Sequence, residues 1–70
     1  MYTLTVTVPD SRTFNAYWYG TGTVVDVVQT APSRWLTYVV DYGDDAYRAQ
    51  YQCDRFASGL YFGAVTGGAR

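Results

Sequence analysis

TVVDVVQTA, residues 23–31, is the stretch on which the fold of this chain depends, because its pattern fits both a strand and a helix. Four Val in five positions favour a strand. The apolar residues also follow the i, i+3, i+4, i+7 spacing of one helix face, at Val24, Val27, Val28 and Ala31. Thr23 and Asp26 have the spacing of a capping box, and Pro32 stands where a helix should already have ended. We predict a short helix here.

On the N-terminal side of this stretch, alternation of apolar and polar residues predicts two strands. Residues 2–8 alternate Tyr, Leu and Val with Thr, which is the pattern of a half-buried strand. Residues 9–12, Pro-Asp-Ser-Arg, have turn chemistry. Residues 13–19 alternate again, with Phe14, Ala16 and Trp18 on one face. The first 19 residues are therefore predicted to form an antiparallel hairpin.

Three more strands are predicted after residue 33. Residues 34–42 and 47–53 alternate on either side of the turn Gly43-Asp44-Asp45, and residues 60–65 form the last strand. The fold class is thus α+β, a mostly antiparallel sheet of order ββαβββ with one short helix packed on it. Residues 1–65 form one compact domain and residues 66–70 a flexible tail. If 23–31 is a strand, the alternative is a small all-β barrel of the Tudor or Src-homology type.

The charged residues argue against catalysis. All six acids are Asp and all five bases are Arg, so the chain of 70 residues has no His, Glu or Lys. The usual general bases and Schiff-base amines are therefore missing, and no Ser or Cys has a His to activate it. We predict that the protein is not an enzyme and has no cofactor, and that Cys53 is a small core residue.

Charge and hydropathy also bear on partners and location. A net charge of −1 and five scattered Arg argue against binding to DNA or RNA. Every apolar run is far shorter than a membrane span, and the N-terminus lacks the pattern of a signal sequence. A single Cys suits a reducing compartment. These features predict a soluble cytoplasmic protein, in the host cytoplasm if a phage encodes it, with no membrane partner.

Three Asp cluster around Gly43, at positions 41, 44 and 45. Their spacing does not fit a calcium-binding loop, so we predict no metal site. With two neighbouring Tyr, the cluster is instead a candidate surface for a larger protein or complex that has a basic surface. The candidate partner-binding residues here are Asp41, Tyr42, Asp44, Asp45 and Tyr47.

The aromatic residues exceed what a core of this size needs, at 19% of the chain. Tyr17, Tyr19 and Trp35 fall on faces assigned outward, and Tyr and Trp are enriched at interface hot spots. They complete the candidate partner-binding set. In the alternative interpretation these rings are covered by a helix or loop, or stack with Arg34, Arg48 or Arg55 within the protein.

The chain resembles two classes of protein. The predicted order of hairpin, capped helix and strands, with residues 1–8, 23–28 and 60–68, resembles β-grasp (ubiquitin-like) proteins, including sulfur carriers. That resemblance implies a function for Gly67-Gly68 once processing has exposed the pair. By size, acidic balance and aromatic content the chain also resembles phage-encoded inhibitors of host defence, including anti-CRISPR proteins. We expect a protein-binding module of the inhibitor type, with the β-grasp function as the alternative.

Overall fold

The computed structural model describes residues 1–29 and 33–67, which form two helices and a four-stranded antiparallel sheet. In chain order the elements are β1 Tyr2–Val8, α1 Ser11–Trp18, β2 Thr23–Gln29, β3 Leu36–Asp41, α2 Ala46–Ser58 and β4 Gly63–Gly67. The strands lie in the order β2-β3-β1-β4, and each is antiparallel to its neighbours. This is the split βαβ topology found in ferredoxin-like folds. The predicted α+β class with an antiparallel sheet is confirmed, and the barrel alternative is wrong because the sheet is open.

β1 is a central strand, and its alternating sequence explains why. Leu4, Val6 and Val8 are fully buried beneath the helices. The intervening residues Thr3, Thr5 and Thr7 lie on the opposite face of the sheet, which neither helix covers. β1 pairs with β3 on one side and β4 on the other, so burial of its apolar face ties three strands to the core.

The hairpin predicted for the first 19 residues is wrong, because residues 13–18 belong to a helix that starts at Ser11, and Tyr19 is its C-cap. Asp10 is the N-cap, and its Oδ1 atom accepts a hydrogen bond of 2.8 Å from the backbone N–H of Thr13. This bond lowers the pKa of Asp10. Phe14 and Trp18 lie one helical turn apart, so the same residues that alternate also form a helical stripe. That stripe faces the core.

The helix predicted for residues 23–31 is also wrong: residues 23–29 form the edge strand β2. A β-bulge explains the misleading spacing. Val24 lies opposite Val40 and Asp26 opposite Val39, so Val25 is an extra residue. The bulge places Val24 and Val27, three residues apart, on the same face of a strand. Residues 30 and 31, the end of the predicted helix, lie outside the described residues.

The strand predicted over residues 47–53 is part of helix α2. Ala46–Ser58 contains no β-branched residue, which favours a helix, and Asp45 caps its first turn. Ala49, Gln52 and Phe56 are buried at helical spacing. The last strand, predicted over residues 60–65, begins three residues later at Gly63, and β4 includes Thr66 and Gly67, which the sequence assigned to a tail. Residues 68–70 lie outside the described residues.

Aromatic stacking joins the helices to the sheet. The ring of Phe14 on α1 stacks on Tyr38 of β3, with 3.7 Å between centroids and 5° between planes. Phe14 also contacts Phe56 of α2 at 5.6 Å and Trp18 at 5.1 Å. Such pairs add to the free energy gained by burying their apolar area. Phe14 thus joins α1 both to the sheet and to α2.

Gln52 is the one buried polar residue among those described. Its Nε2 atom donates a hydrogen bond of 2.7 Å to the backbone carbonyl of Tyr17, at the end of α1. Its Oε1 atom accepts a bond of 3.2 Å from the hydroxyl of Thr21, which also lies 3.5 Å from the hydroxyl of Tyr42. The Trp18 indole N–H donates to the Thr21 carbonyl. One amide therefore joins α2, the end of α1 and the loop before β2.

We predict that Gln52→Leu lowers the free energy of unfolding by about 1–3 kcal/mol, because the Tyr17 carbonyl and Thr21 hydroxyl lose a buried partner. Urea denaturation of the two proteins measures this difference. Gln50→Leu is the matched control: it makes the same change on the same helix at an exposed residue, and should alter stability by less than about 0.5 kcal/mol. Equal stability of the two variants would contradict the role given to Gln52.

Candidate protein-binding surfaces

A cleft of about 390 Å³ lies at the end of the sheet where β2 begins, β3 ends and α2 starts. We call it the acidic cleft. Two of its charged side chains are Asp and one is Arg. Its volume is in the range of ligand-binding clefts. The lining residues are Gly22, Thr23, Asp41, Tyr42, Gly43, Asp45 and Arg48.

The β3–α2 turn forms one wall of the acidic cleft. The Oδ1 atom of Asp41 accepts a hydrogen bond of 2.7 Å from the backbone N–H of Gly43, which has a φ of 61°. The Gly43 carbonyl in turn accepts a bond of 2.7 Å from the Tyr2 N–H. The turn is thus fastened to the central strand β1.

Asp45 is occupied by helix capping. Its Oδ1 atom accepts a hydrogen bond of 2.9 Å from the Arg48 backbone N–H, and its Oδ2 atom accepts one of 3.3 Å from Arg48 Nε. Asp45 therefore holds the first turn of α2 and neutralises much of its own charge with Arg48. Asp41 adds a second carboxylate to the cleft, and Asp44, on the same turn, pairs with the N-terminal amine at 4.0 Å.

Asp44 and Tyr47 are the most accessible of the five candidates near the turn. The Asp44 side chain is fully exposed and lies 4.0 Å from the N-terminal amine. Tyr47, on the first turn of α2, is 81% exposed. Tyr42, by contrast, is only 7% exposed, so it forms the cleft wall and offers little contact area. Burial raises the pKa of its hydroxyl.

The second wall of the acidic cleft depends on Gly22, which has a φ of 75°. A Cβ atom at Gly22 would lie 2.9 Å from side-chain atoms of both Tyr42 and Val40. Only glycine suits this conformation and this close approach. Thr21, held by Gln52, directly precedes it. The buried amide of Gln52 therefore also positions the cleft.

Tyr17, Tyr19 and Trp35 are not brought together with the acidic turn as one surface. The Arg55 guanidinium lies 4.5 Å from the ring centroid of Tyr19 and 5.7 Å from that of Tyr17, which supports the structural interpretation of these two rings. Tyr17 is half-buried. Trp35 contacts Tyr61 at 6.2 Å and precedes β3, whereas Asp41 ends that strand. Trp35 therefore belongs to the opposite end of the sheet.

Sequence reasoning missed several exposed apolar residues. Leu60 and Phe62 flank Tyr61 in the loop before β4 and are 76% and 71% exposed. Val25, Val27 and Val28 on β2 are also exposed. The signal for the valines was present in the sequence, since an extra residue in a Val-rich strand breaks the alternation in the way that a bulge does. We find no such signal for Leu60 and Phe62.

No group of three or more His, Cys, Asp or Glu side chains within residues 1–29 and 33–67 could hold a metal ion. None of the helices in that part of the chain is long and apolar enough to cross a membrane. The Cys53 thiol is partly buried and lies 3.6 Å from the Gly63 carbonyl. Burial, and to a smaller extent Asp54, raises its pKa.

We predict that Cys53 reacts with iodoacetamide several times more slowly than free cysteine at pH 8, because its raised pKa lowers the thiolate fraction and burial limits access. Mass spectrometry of timed samples measures the rate, and the same protein in urea is the control, in which the rate should match that of free cysteine. Alkylation of the folded protein as fast as free cysteine would contradict this assignment.

No protein-family model, no curated protein and no solved structure matches this chain. The element order itself differs from the order that suggested the β-grasp resemblance, since α1 stands between β1 and β2 where a hairpin was predicted. Gly67 lies in β4, paired with Tyr2, and Gly68 is outside the described residues.

Proposed function

We propose that this chain is a non-enzymatic protein-binding module that inhibits a larger protein by occupying part of its surface, as phage anti-defence proteins do. The observation that carries the proposal is the high exposure of both Asp44 and Tyr47, which are sequence neighbours of the cleft-lining residue Asp45. Tyr47 is 81% exposed although it is a large aromatic residue on a short, capped helix. Exposed aromatic side chains on rigid elements are typical hot-spot residues.

Charge favours a basic partner at this surface. The Asp44 carboxylate is fully exposed to solvent beside the N-terminal amine, and Asp41 lines the cleft. Carboxylates in such positions attract Arg or Lys side chains during the approach of a partner and accept charge-assisted hydrogen bonds once it is bound. An Arg side chain from the partner would fit the acidic cleft and could pack against the Tyr47 ring.

Preorganisation supports the proposal. The turn is fastened to β1 through Gly43, and the loop at Gly22 is held through Thr21 and Gln52. Asp45 fixes the start of α2. A surface that is already ordered loses little conformational entropy when a partner binds, so more of the contact energy contributes to affinity.

The test begins with a pull-down from host lysate, followed by titration of the purified partner with wild type and variants. Tyr47→Ala should weaken binding by about 2 kcal/mol or more if Tyr47 is a hot spot. Asp44→Asn should slow association and reduce its salt dependence. Asp44 is chosen over Asp45 because replacing Asp45 would also remove the cap of α2.

Phe62→Ala is the matched control, because Phe62 is a similarly exposed aromatic residue at the opposite end of the sheet. Affinity unchanged by Tyr47→Ala but lost in Phe62→Ala would overturn the assignment of this surface. Capture of an adenylating enzyme would replace the inhibitor proposal by the ubiquitin-like alternative with its Gly67-Gly68 pair.

Inhibition has its own test. We expect that expression of the chain in a host with active CRISPR immunity raises the plating efficiency of a targeted phage, and that Tyr47→Ala abolishes the increase. Both proteins must be present at equal levels by immunoblot. Unchanged plating with the wild-type chain would contradict the anti-CRISPR form of the proposal.

A further inference from the structure

β2 is an edge strand with an unusual surface. It is the first strand in the order β2-β3-β1-β4, so one side of its backbone has no strand partner within the described residues. Natural edge strands are commonly protected by Lys, Pro or inward-pointing charges. β2 has seven residues, four of them Val, and a single charged residue, Asp26.

The valines are exposed on both faces of the sheet. Val27 lies opposite Tyr38 on the helix side, yet it is 46% exposed because the helices cover the other strands more fully. Val28 lies opposite Thr37 on the open side and is equally accessible. A strand that covers this edge must therefore offer apolar side chains to both faces.

We propose that β2 pairs antiparallel with β2 of a second copy of this chain, which forms a continuous eight-stranded sheet. β2 itself is a strand with valines on both faces, so it supplies the side chains that its own edge requires. Residues 25–29 of β2 do not line the acidic cleft, although Thr23 at the start of the strand does, and this pairing does not depend on the proposed function.

The sequence of β2 selects the register. A twofold axis at Asp26 would set the two carboxylates against each other, which is unfavourable. An axis at Val28 would use only the last residues of a strand that ends at Gln29. An axis at Val27 places Val27 opposite its counterpart and Asp26 opposite Val28, and both members of each pair lie on the same face. Val27 is therefore the centre of the pairing.

Pairing of β2 with β2 is also favoured over head-to-tail pairing of β2 with β4, because it gives a closed dimer. Pairing of β2 with β4 of another copy would leave a free β2 and a free β4 at the two ends, and the chain would grow into fibres. Pairing of β2 with β2 buries both apolar edges in a closed dimer. The outer edge that remains is β4, which has five residues, two of them Gly.

Sedimentation equilibrium of the full chain over a wide concentration range tests the proposal. We expect a species of twice 7.8 kDa for the wild type and the 7.8 kDa monomer for Val27→Lys, because the pairing would set two Lys side chains against each other. Thr66→Lys is the matched control: it places the same charge on the other edge strand and should leave the dimer intact. Circular dichroism shows whether each variant is folded.

Cross-linking tests the register and does not depend on variant stability. In a Cys53→Ala background, Val27→Cys should form a disulfide-linked dimer on oxidation, since facing residues bring their Cβ atoms within about 5.5 Å. Thr66→Cys in the same background should remain monomeric. A wild type that is monomeric at every concentration overturns the proposal, and so does a dimer that Thr66→Lys disrupts and Val27→Lys does not. Linkage through Thr66→Cys alone would likewise refute it.

Discussion

The buried amide of Gln52 is the interaction on which the arrangement of this small protein depends. A polar side chain in a core is unfavourable unless both ends of the amide have partners. Here the partners are the last turn of α1 and the hydroxyl of Thr21. These contacts fix how α1 ends, where the chain turns and how β2 enters the sheet, which apolar packing alone would leave less specified.

The hydrogen bonds of Gln52 also bear on the aromatic core and on the acidic cleft. α1 must lie beside α2, which brings Phe14 between Tyr38 and Phe56 and completes the aromatic core. The loop after α1 must pass close to Tyr42, which requires Gly22 and closes one wall of the acidic cleft. β2, which this loop enters, is the edge strand next to β3, and three of its valines are exposed. The hydrogen bonds of Gln52 in the core thus also help to position one wall of the acidic cleft.

The sequence predicted what depends on local alternation and composition. β1 and β3 were found because each alternates and lies in the middle of the sheet with one face buried. Prediction from the sequence failed where the same residues fit both a strand pattern and a helix pattern. In α2, the tyrosines at positions 47 and 51 alternate like a strand, while the buried face follows Ala49, Gln52 and Phe56. In β2 a bulge imitates helical spacing.

The candidate site was predicted in part for the same reason. The Asp residues and Tyr47 are close in sequence, so a turn brings them together in any fold. Two features of the cleft depend on the contact between β3 and the loop after α1, which no local sequence pattern contains. These features are the burial of Tyr42 and the lining by Gly22 and Thr23. Trp35 and this turn lie at opposite ends of β3, so their separation follows from the length and direction of that strand and not from its composition.

The role of Gln52 can be measured directly through the indole protons of the two tryptophans. Trp18 donates its indole N–H to the Thr21 carbonyl, whereas Trp35 is 42% exposed and serves as an internal reference. Hydrogen exchange followed by nuclear magnetic resonance should show Trp18 protected relative to Trp35 in the wild type. In Gln52→Leu, Trp18 should exchange faster while Trp35 is unchanged. Equal protection of Trp18 in both proteins would contradict the account.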